Sequence, residues 1–438
     1  MARLAVIGAG WAGLAAAVQA VQAGHAVTLY EAARTAGGRA RTVQAQLPSG
    51  EAIALDNGQH ILIGAYRQTL SLMQTVGVQP AQVLHAMPLA LRDTQGRGLA
   101  LPAWPPPFDA AWGIATARGW HASDKLSLLG ASLRWRATGF RTPPGQTVAQ
   151  LCAGLSARVR RELIEPLCVS ALNTPAERAC GQVFLRVLRD SLFGQGWGGW
   201  GASWLLLPRA PLGALFPEAA LAWLADRGAA LRTGVRVRQL TFERDAWSVD
   251  SESFGESFSE SFDQVLLALP VAETARLVPA DGTGAAWVHD AQALRHEAIT
   301  TVYATGGPRL SHPLLTLANG PGAPAQFVFD RSQLGGPPGL LAFVISASQG
   351  DRATLESAVL AQASALGWNG LQPLLTVVEK RATFACTPGL RRPGIAIAPG
   401  LWACGDYVEG PYPATLEGAV MSAQQAVAAI RSEDHIAR

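Results

Sequence analysis

Short runs of apolar residues, spaced as in buried strands and helices, mark both ends of the chain. Residues 3–45 read as a buried strand, a glycine-rich turn, an alanine-rich helix, a second strand and a loop. The C-terminal end has the same order, with a strand at 401–406, a loop, and a helix at 414–430. Another buried strand is predicted at 263–270. This pattern is typical of an α/β, Rossmann-like domain built from separated pieces of chain.

The chain between these ends has a different pattern. A proline-rich loop at 102–108 precedes helical spacing around 122–138, 147–168 and 176–193. Residues 296–395 alternate short apolar runs with glycine and proline turns, which favours an antiparallel sheet. We therefore predict an inserted α+β domain that contains helices and an antiparallel sheet.

Two discontinuous domains follow from these patterns. The Rossmann-like, nucleotide-binding domain is predicted to comprise residues 1–78, 216–288 and 396–438. The inserted domain, which we expect to bind the substrate, is predicted to comprise residues 79–215 and 289–395. Within the first of these domains, residues 251–262 (SESFGESFSESF) form a short repeat, which we interpret as a surface hairpin with a turn at Gly255.

Composition narrows the class of protein. Hydrophobic residues make up 49% of the 438 residues, yet no apolar run reaches the roughly 18 residues of a membrane span. The net charge of +3, without a dense basic stripe, argues against nucleic-acid binding. Five cysteines without a C-x-x-C pair predict neither a metal site nor a disulfide framework. Because a buried strand already begins at Leu4, we expect no cleavable signal and a cytoplasmic protein, at most peripheral at the inner face of the cytoplasmic membrane.

A G-x-G-x-x-G turn between the first strand and the first helix predicts a dinucleotide site. Gly8 permits the tight turn, Gly10 lets the backbone approach a pyrophosphate, and Gly13 lets helix and strand pack closely. The second strand ends in Glu31, about 20 residues on, where its carboxylate can accept hydrogen bonds from a ribose. A second match at 196–201 follows no strand and carries two tryptophans, so we interpret it as a loop. The predicted contacts at this end are Gly8, Gly10, Trp11, Ala12, Gly13, Glu31 and Ala32.

A second glycine pair follows the acidic residue. Gly37 and Gly38 offer another close backbone approach, and Arg39 can neutralise a phosphate. With this pair, the sequence resembles the "GG doublet" flavoproteins, which include amine oxidases, protoporphyrinogen oxidase and phytoene desaturases. The resemblance implies FAD as the cofactor.

Residues 404–419 resemble the C-terminal flavin motif of the same superfamily. The resemblance implies that Asp406 binds the ribityl or pyrophosphate region and that the turn at 414–416 directs N–H groups to the flavin ring. A helix N-terminus suits this place because reduced flavin carries negative charge near N1. The further contacts with FAD that the resemblance implies are Gly37, Gly38, Arg39, Gly58, Gln59, His60, Val237, Gly405, Asp406, Ala414, Thr415 and Leu416.

Two further segments narrow the resemblance. Residues 165–174 and 56–66 resemble those of squalene-associated FAD-dependent desaturases, the hydroxysqualene dehydroxylases of bacterial hopanoid synthesis, and the likeness runs from residue 3 to about 430. It implies reductive removal of an allylic hydroxyl: protonation releases water, and reduced flavin donates hydride to the allylic cation. The tryptophan-rich, charge-poor insertion suits an isoprenoid hydrocarbon better than a cationic amine.

This reaction requires a proton donor. His60 is the first candidate, followed by Glu165, Tyr407 and Glu417. His60 also has an alternative role as a polar contact beside the ring. For Glu417 we favour a structural role at the start of a helix.

Other functions stay open at this point. A phytoene- or carotenoid-type desaturase would bind FAD through the same residues and oxidise its substrate. An amine or protoporphyrinogen oxidase often has a lysine near the flavin, but the only lysines are Lys125 and Lys380, and Lys380 reads as a surface strand residue. A non-enzymatic lipid carrier is disfavoured by the intact flavin motifs.

The expected partners follow from the same reading. They are an apolar isoprenoid substrate and an electron source, either NAD(P)H docking transiently or another reductase. Residues 104–120 contain three tryptophans and one phenylalanine, which suit peripheral contact with a membrane surface, and ordinary loop packing is the alternative interpretation. The sequence does not specify the oligomeric state.

Overall fold

The computed structural model describes residues 2–279 and 282–436. The strands in this part of the chain are β1 (Arg3–Ile7), β2 (Ala26–Glu31), β3 (Thr42–Gln46), β4 (Ala52–Asp56), β5 (Leu62–Ile63), β6 (Leu84–Met87), β7 (Ala90–Arg92), β8 (Gly98–Ala100), β9 (Leu205–Pro208), β10 (Ala230–Thr233), β11 (Arg236–Glu243), β12 (Ala246–Ser253), β13 (Glu256–Phe262), β14 (Gln264–Leu267), β15 (His296–Thr305), β16 (Leu314–Thr316), β17 (Phe327–Asp330), β18 (Leu341–Ser348), β19 (Gln372–Phe384), β20 (Ala396–Ala398) and β21 (Leu401–Ala403).

Helices connect and cover these strands. They are α1 (Trp11–Gln22), α2 (Arg67–Thr75), α3 (Pro80–Val83), α4 (Phe108–Thr116), α5 (Ala122–Ala137), α6 (Val148–Leu151), α7 (Ala157–Val159), α8 (Glu165–Leu172), α9 (Gly181–Phe193), α10 (Leu212–Leu215), α11 (Pro217–Ala225), α12 (Val271–Leu277), α13 (Ala285–Gln292), α14 (Arg352–Ala365) and α15 (Leu416–Ile436). Among the helices that the structure describes, none has the length and apolarity to cross a bilayer.

The central sheet has six strands in the order β10–β2–β1–β14–β21–β20. All are parallel except β20, which pairs antiparallel with β21. The strands β1, β14 and β21 are almost wholly buried because helices such as α1 and α15 cover the sheet. Each of the three chain segments predicted to form the nucleotide domain contributes two strands to this sheet. The predicted α/β, Rossmann-like class is confirmed, whereas the domain boundaries stay a prediction.

A second sheet has five antiparallel strands in the order β16–β17–β18–β15–β19. Its side chains alternate between two faces, as the pleat requires. Val302 and Phe343 pack with the apolar face of α14. Their neighbours Tyr303 and Val344 belong to the core on the opposite side of the sheet. The antiparallel sheet predicted within residues 296–395 is therefore present.

The helices α4 to α9 lie between β8 and β9. The helical spacing at 147–168 is interrupted in the structure: α6 and α7 are short, and the π-helical turn Arg160–Ile164 leads into α8. Pro166 is the second residue of α8 and directly follows this π-helical turn. The strand β9 then pairs with both β5 and β6 and so closes the insertion.

The short repeat forms the antiparallel pair β12–β13, as its pattern indicated. The turn contains Phe254 and Gly255, both with positive φ, which is the geometry of a tight hairpin turn. Phe254 is 89% exposed, so this hairpin tip lies at the surface.

Candidate active site

A cavity of about 760 Å³ lies between the central sheet and the antiparallel sheet. Its wall includes Ile7, Glu31, Ala268 and Gly405, which all lie at or just after the carboxyl ends of parallel strands. Ligands of open α/β sheets bind at this edge. The volume is in the usual range for small-molecule and cofactor sites.

The glycine-rich turn packs directly against the next strand of the sheet. Gly8 has φ of 108°, and a Cβ there would lie 2.5 Å from the carbonyl oxygen of Ala268. At Gly13, a Cβ would lie 1.8 Å from the carbonyl oxygen of Gly8. Side chains are therefore excluded at both positions by backbone, which cannot move aside as a flexible side chain can. Gly13 is therefore required for the packing of α1 against this turn, and it does not line the cavity.

The glycine doublet rests on the glycine-rich turn. The amide N–H of Gly37 donates to the carbonyl oxygen of Ala9 at 2.8 Å. A Cβ at Gly38 would lie 3.1 Å from the Cα of Gly10. The two turns thus touch through their backbones and form one surface that is bare of side chains. Such a surface fits the close approach of a diphosphate.

Glu31 braces this surface. Its carboxylate accepts hydrogen bonds from the N–H groups of Ala9, at 2.7 Å, and Ala33, at 2.8 Å. The residue also lies on the cavity wall, beside Ala32. Glu31, which was predicted to contact a ribose, therefore also fixes the glycine-rich turn through hydrogen bonds within the protein.

Arg39 and Asp406 join the first and last segments of the chain. The guanidinium lies 2.5 Å from the carboxylate and donates to the carbonyl oxygen of Ala382 at 2.7 Å. The charge of Asp406 raises the pKa of Arg39. This carboxylate already partners the cation in the protein alone, and Arg39 also lines the cavity, so its contact with a phosphate stays a prediction. Arg39 holds the antiparallel sheet and the C-terminal segment at the cavity edge.

The start of α15 faces the cavity. Thr415 accepts a hydrogen bond from the N–H of Gly418 at 2.9 Å through its hydroxyl, as an N-cap residue does. Ala414 has φ of 57°, and its N–H donates to the carbonyl oxygen of Asp406 at 3.0 Å. Both residues and Leu416 line the cavity. The partial positive charge of this helix end is thus directed at the cavity, where it suits an electron-rich ring.

His60 lies on the cavity wall with one ring nitrogen engaged. Its Nδ1 donates to the carbonyl oxygen of Gly58 at 2.8 Å. Burial lowers the pKa of His60, and the nearby positive charge of Arg39 lowers it further. The imidazole is therefore neutral at pH 7 with its proton on Nδ1. Its Nε2 can accept a hydrogen bond, which fits a polar contact better than a resident proton donor.

Tyr407 is buried on the cavity wall. Its hydroxyl lies 3.1 Å from the hydroxyl of Thr274, and its ring meets Trp287 edge to face. Burial raises the pKa of Tyr407, so the phenol keeps its proton. A Cβ at Gly405 would lie 2.6 Å from this ring, which explains the glycine there.

The two glutamates that were candidate acids lie elsewhere. Glu417 is buried, and its carboxylate accepts hydrogen bonds from the N–H groups of Gln68 and Thr69, both at 2.9 Å. It therefore caps the N-terminus of α2, whereas the structural role favoured from the sequence was at the start of its own helix, α15. Glu165 is exposed, whereas its helix neighbour Leu167 lines the cavity. The structure does not bring either carboxylate to the cavity wall.

The remaining predicted contacts do converge. The residues Gly10, Trp11, Ala12, Gly58, Gln59 and Val237 all line the cavity. The second glycine-rich match, at 196–201, is a loop between α9 and β9, as interpreted from the sequence. Neither lysine lies on the cavity wall, and Lys380 is exposed on β19.

The far end of the cavity is apolar. The helices α8 and α9 and the antiparallel sheet supply Leu167, Phe184, Leu188, Phe327 and Val344 to its wall. These residues are scattered over 178 positions of the sequence, from 167 to 344, so no local pattern groups them. Apolar lining next to a polar cradle is typical of a site for a hydrocarbon substrate beside a cofactor.

One polar pair at the cavity was not predicted from the sequence. The hydroxyl of Tyr412 donates to the carboxylate of Asp190 at 2.9 Å, and both side chains line the cavity. Arg189 contacts the same carboxylate at 2.7 Å. Burial and the contact with Asp190 raise the pKa of Tyr412 to about 12. The sequence offered one signal for Tyr412, which is its position directly before the predicted flavin contacts at 414–416.

Near the end of the segment 165–174, Asn173 connects α8 to the antiparallel sheet. Asn173 has φ of 44° and closes α8. Its side-chain amide donates to the hydroxyl of Thr383 at 3.0 Å and accepts from the N–H of Ala347 at 2.7 Å. This asparagine therefore fixes α8, which walls the cavity, to two strands of the antiparallel sheet.

Comparison with known proteins agrees with this geometry. Residues 11–431 match the model of the flavin-containing amine oxidoreductase family, and the chain belongs to that family. With its glycine cradle and strand-end cavity, the protein is an FAD-dependent oxidoreductase, so the predicted cofactor and superfamily are confirmed.

Individual relatives narrow the comparison. The chain is 30% identical, over 96% of both chains, to a hydroxysqualene dehydroxylase of Rhodopseudomonas palustris. It is 27% identical to a hydroxysqualene dehydroxylase of Zymomonas mobilis, over 96% of this chain and 97% of the relative. An oxidoreductase from Methanosarcina mazei has the same fold, with a TM-score of 0.72 and 18% identity over 97% of this chain and 100% of its own.

Proposed function

We propose that the protein reductively removes an allylic hydroxyl group from a squalene-type isoprenoid, the activity named for its near-full-length relatives. The observation that carries the proposal is the apolar end of the cavity, which belongs to the same cavity as the glycine cradle for FAD. Its wall of aromatic and aliphatic side chains suits a hydrocarbon chain. The proposal places the reaction in hopanoid biosynthesis, as the sequence resemblance implies.

The residues of the cradle would hold the cofactor in the following way. The backbone of Gly8, Gly10 and Gly38, which is free of side chains, would lie against the diphosphate. The carboxylate of Glu31 would accept a hydrogen bond from the ribose. The N-terminus of α15 would lie against the electron-rich part of the ring. Bound FAD in its reduced form supplies the hydride for the reaction.

The apolar wall would orient the substrate and exclude water. An allylic cation that meets water is quenched to an alcohol, so its neighbours must be apolar. Phe184, Leu188 and Phe327 supply such neighbours. Positioning of the reacting carbon by this wall contributes to the rate in addition to the exclusion of water.

The proton for the leaving hydroxyl would come from the Tyr412–Asp190 pair. Tyr412 keeps its proton at neutral pH and lines the cavity. In the protein alone its hydroxyl donates to Asp190, and rotation about the C–O bond would turn this proton towards the substrate, which the fixed Nδ1–H of His60 does not allow. The carboxylate of Asp190 would then help to replace the proton from solvent. His60 is neutral and holds its proton on the carbonyl oxygen of Gly58, so it would serve as a hydrogen-bond acceptor. A positioned general acid contributes about 10²–10⁴-fold to a rate.

A single-turnover experiment tests the reaction. Reduced holoenzyme is incubated without oxygen with hydroxysqualene, and oxidised holoenzyme is incubated with squalene and with phytoene. Squalene from the first reaction supports the proposal. New double bonds in the second set, without squalene from the first, would assign the protein to the desaturases instead.

Variants test the proton donor in the same assay. We expect Tyr412→Phe to slow squalene formation by about 100-fold or more while FAD content stays that of the wild type. Tyr66→Phe, which removes another phenol from the cavity wall, is the matched control and should cost far less. A Tyr412→Phe enzyme with full turnover, or a His60→Ala enzyme with none, would return the role to His60.

The electron source and the cellular location complete the proposal. We propose that NAD(P)H docks transiently or that a separate reductase delivers electrons. The segment 104–120 would contact the inner face of the cytoplasmic membrane, where an isoprenoid substrate resides. Its aromatic residues Trp104, Phe108 and Trp112 are all about half exposed or more, as such contact requires.

A further inference from the structure

One face of the inserted domain exposes large apolar side chains. We call it the docking face and define it by six residues that are between 44% and 67% exposed: Trp104, Phe108, Trp112, Leu126, Leu129 and Leu133. The first three lie on α4 and the loop before it, and the last three lie on α5, which packs against α4. The rings of Trp104 and Trp112 are in contact, with centroids 5.2 Å apart. Exposed apolar side chains grouped in this way mark an interaction surface.

The helix α5 is apolar on two opposite faces. Leu128, Ala131 and Trp135 point into the core. At about 100° per residue, Leu126, Leu129 and Leu133 form a separate stripe on the opposite side of the helix. The inner face explains the folding of the helix, and it leaves the outer leucines without a role in the core.

The charges around the docking face are mostly positive. Between residues 101 and 162, the acidic residues are Asp109 and Asp124, which are buried, and Glu162, whose side chain is 33% exposed and lies 3.8 Å from Arg158. The same segment carries eight cationic residues, which are Arg118, Lys125, Arg134, Arg136, Arg141, Arg158, Arg160 and Arg161. On α5, Arg134 flanks the leucine stripe on one side, and Lys125 and Arg136 flank it on the other. A leucine stripe between cations is typical of a helix that lies in a membrane interface.

The docking face continues to the cavity along α9. Phe184 and Leu188 on this helix line the apolar end of the cavity. At the end of the same helix, Phe193 is 43% exposed and lies under the guanidinium of Arg136, 6.0 Å from its ring centroid. One helix therefore connects the cationic, apolar surface to the proposed substrate site.

We propose that the docking face binds the anionic surface of a lipid bilayer, with its aromatic and leucine side chains in the interface and its cations on the lipid headgroups. Charge complementarity selects this partner, because a surface around which cations outnumber the exposed acids is attracted to anionic lipid. The entry of substrate from the bilayer along α9 rests on the proposed function. The binding of lipid itself extends the membrane contact proposed for residues 104–120 and does not rest on the proposed reaction.

Co-sedimentation of the holoenzyme with vesicles tests this proposal. Vesicles of phosphatidylglycerol mixed with phosphatidylcholine are compared with vesicles of phosphatidylcholine alone. We expect binding to the anionic vesicles and at least about tenfold weaker binding to the neutral ones. Phe108→Ser/Trp112→Ser should weaken binding to both, and Arg134→Gln/Arg136→Gln should remove most of the preference for anionic lipid.

Matched controls lie elsewhere on the surface. Phe254→Ser removes a more exposed phenylalanine, at the hairpin tip between Glu252 and Glu256, and Arg352→Gln/Arg431→Gln removes two exposed cations. Both control proteins should bind vesicles as the wild type does. Equal loss in the controls, or a wild type that binds neither vesicle, would overturn the proposal. So would a dimer in lipid-free buffer that the variants of the docking face abolish, because the face would then belong to a second copy.

The assay also separates this proposal from the proposed function. With substrate dispersed in detergent, the variants of the docking face should keep wild-type turnover and FAD content. With substrate in anionic vesicles, their turnover should fall with their binding. Vesicle binding in an enzyme that forms no squalene would refute the proposed reaction and leave the lipid-binding surface intact.

Discussion

The two ends of the cavity are built in opposite ways. At the cradle end, Gly8, Gly13 and Gly38 bring backbone against backbone, and at Gly8 and Gly13 a single added carbon would collide with backbone atoms that cannot move aside. At the apolar end, Leu167, Phe184 and similar side chains form the wall, and each can change rotamer or be exchanged for another hydrophobic residue. The cradle end is therefore specified by residue identity, whereas the apolar end is specified by volume and polarity.

The sharpest test of the cradle end is Gly13→Ala. A glycine inside a helix normally costs about 1 kcal/mol relative to alanine, so helix propensity predicts stabilisation by this change. The new Cβ would lie 1.8 Å from the carbonyl oxygen of Gly8, so we expect the opposite, a loss of about 3 kcal/mol with release of FAD. Urea unfolding and the flavin absorbance of the purified protein measure both effects.

Gly130 is the matched control for this change. It lies inside α5, and a Cβ there would meet nothing within 4 Å. Gly130→Ala should therefore stabilise the protein by up to about 1 kcal/mol and leave FAD binding unaltered. If both alanine variants were more stable than the wild type, steric exclusion at the cradle would be refuted.

A buried acid, Asp56, lies between α10 and the antiparallel sheet. The carboxylate of Asp56 accepts from the N–H of Leu212 at 2.7 Å, and Tyr303 on the antiparallel sheet donates to the carbonyl oxygen of Asp56 at 3.0 Å. Burial raises the pKa of Asp56 to about 6. The folded state then binds a proton more tightly than the unfolded state, so this residue lowers stability as pH rises from about 4 to about 6.

Asp56→Asn removes that titration and keeps an oxygen for Leu212. At pH 7 we expect the variant to be more stable than the wild type by about 2 kcal/mol, and at pH 4 the two should differ little. Thermal unfolding of the apoprotein at several pH values is the measurement. A constant difference across this pH range would mean that Asp56 does not titrate as described.

Loss of the ion pair between Arg39 and Asp406 should have the next largest effect on the free energy of unfolding. Because the side chain of Arg39 is 37% exposed, solvent screens the pair, and we expect Arg39→Met to cost about 1 to 2 kcal/mol. A double-mutant cycle with Asp406→Asn isolates the pair from the hydrogen bond to Ala382. A coupling energy near zero would show that the guanidinium acts through that carbonyl group alone.

The contrast between the ends also explains what the sequence predicted. The spacing of Gly8, Gly10 and Gly13 is local in sequence and has one steric meaning, so it identified the cradle. The apolar wall comes from distant segments, and hydrophobic residues of this kind are abundant throughout the chain. The roles of Glu417 and Arg39 depend on partners 348 and 367 residues away, so spacing alone did not reveal the helix cap on Thr69 or the pairing with Asp406.

At the apolar end, Leu167→Ala should have the smallest effect on stability. Leu167 is only half buried and faces the cavity, so its truncation enlarges existing space and opens no new void in the core. We expect a loss below about 1 kcal/mol and unchanged FAD content, against the 2 to 5 kcal/mol typical of a fully buried leucine. Catalysis should respond more, with kcat/KM for hydroxysqualene falling about tenfold or more as contact with the substrate is lost. Leu163→Ala is the matched control. Leu163 lies in the π-helical turn that leads into α8, is buried in the core and does not line the cavity. Compared with Leu167→Ala, this control should lower the free energy of unfolding more and kcat/KM less. If Leu163→Ala instead lowered kcat/KM more than Leu167→Ala, the residues of α8 would not form the substrate wall.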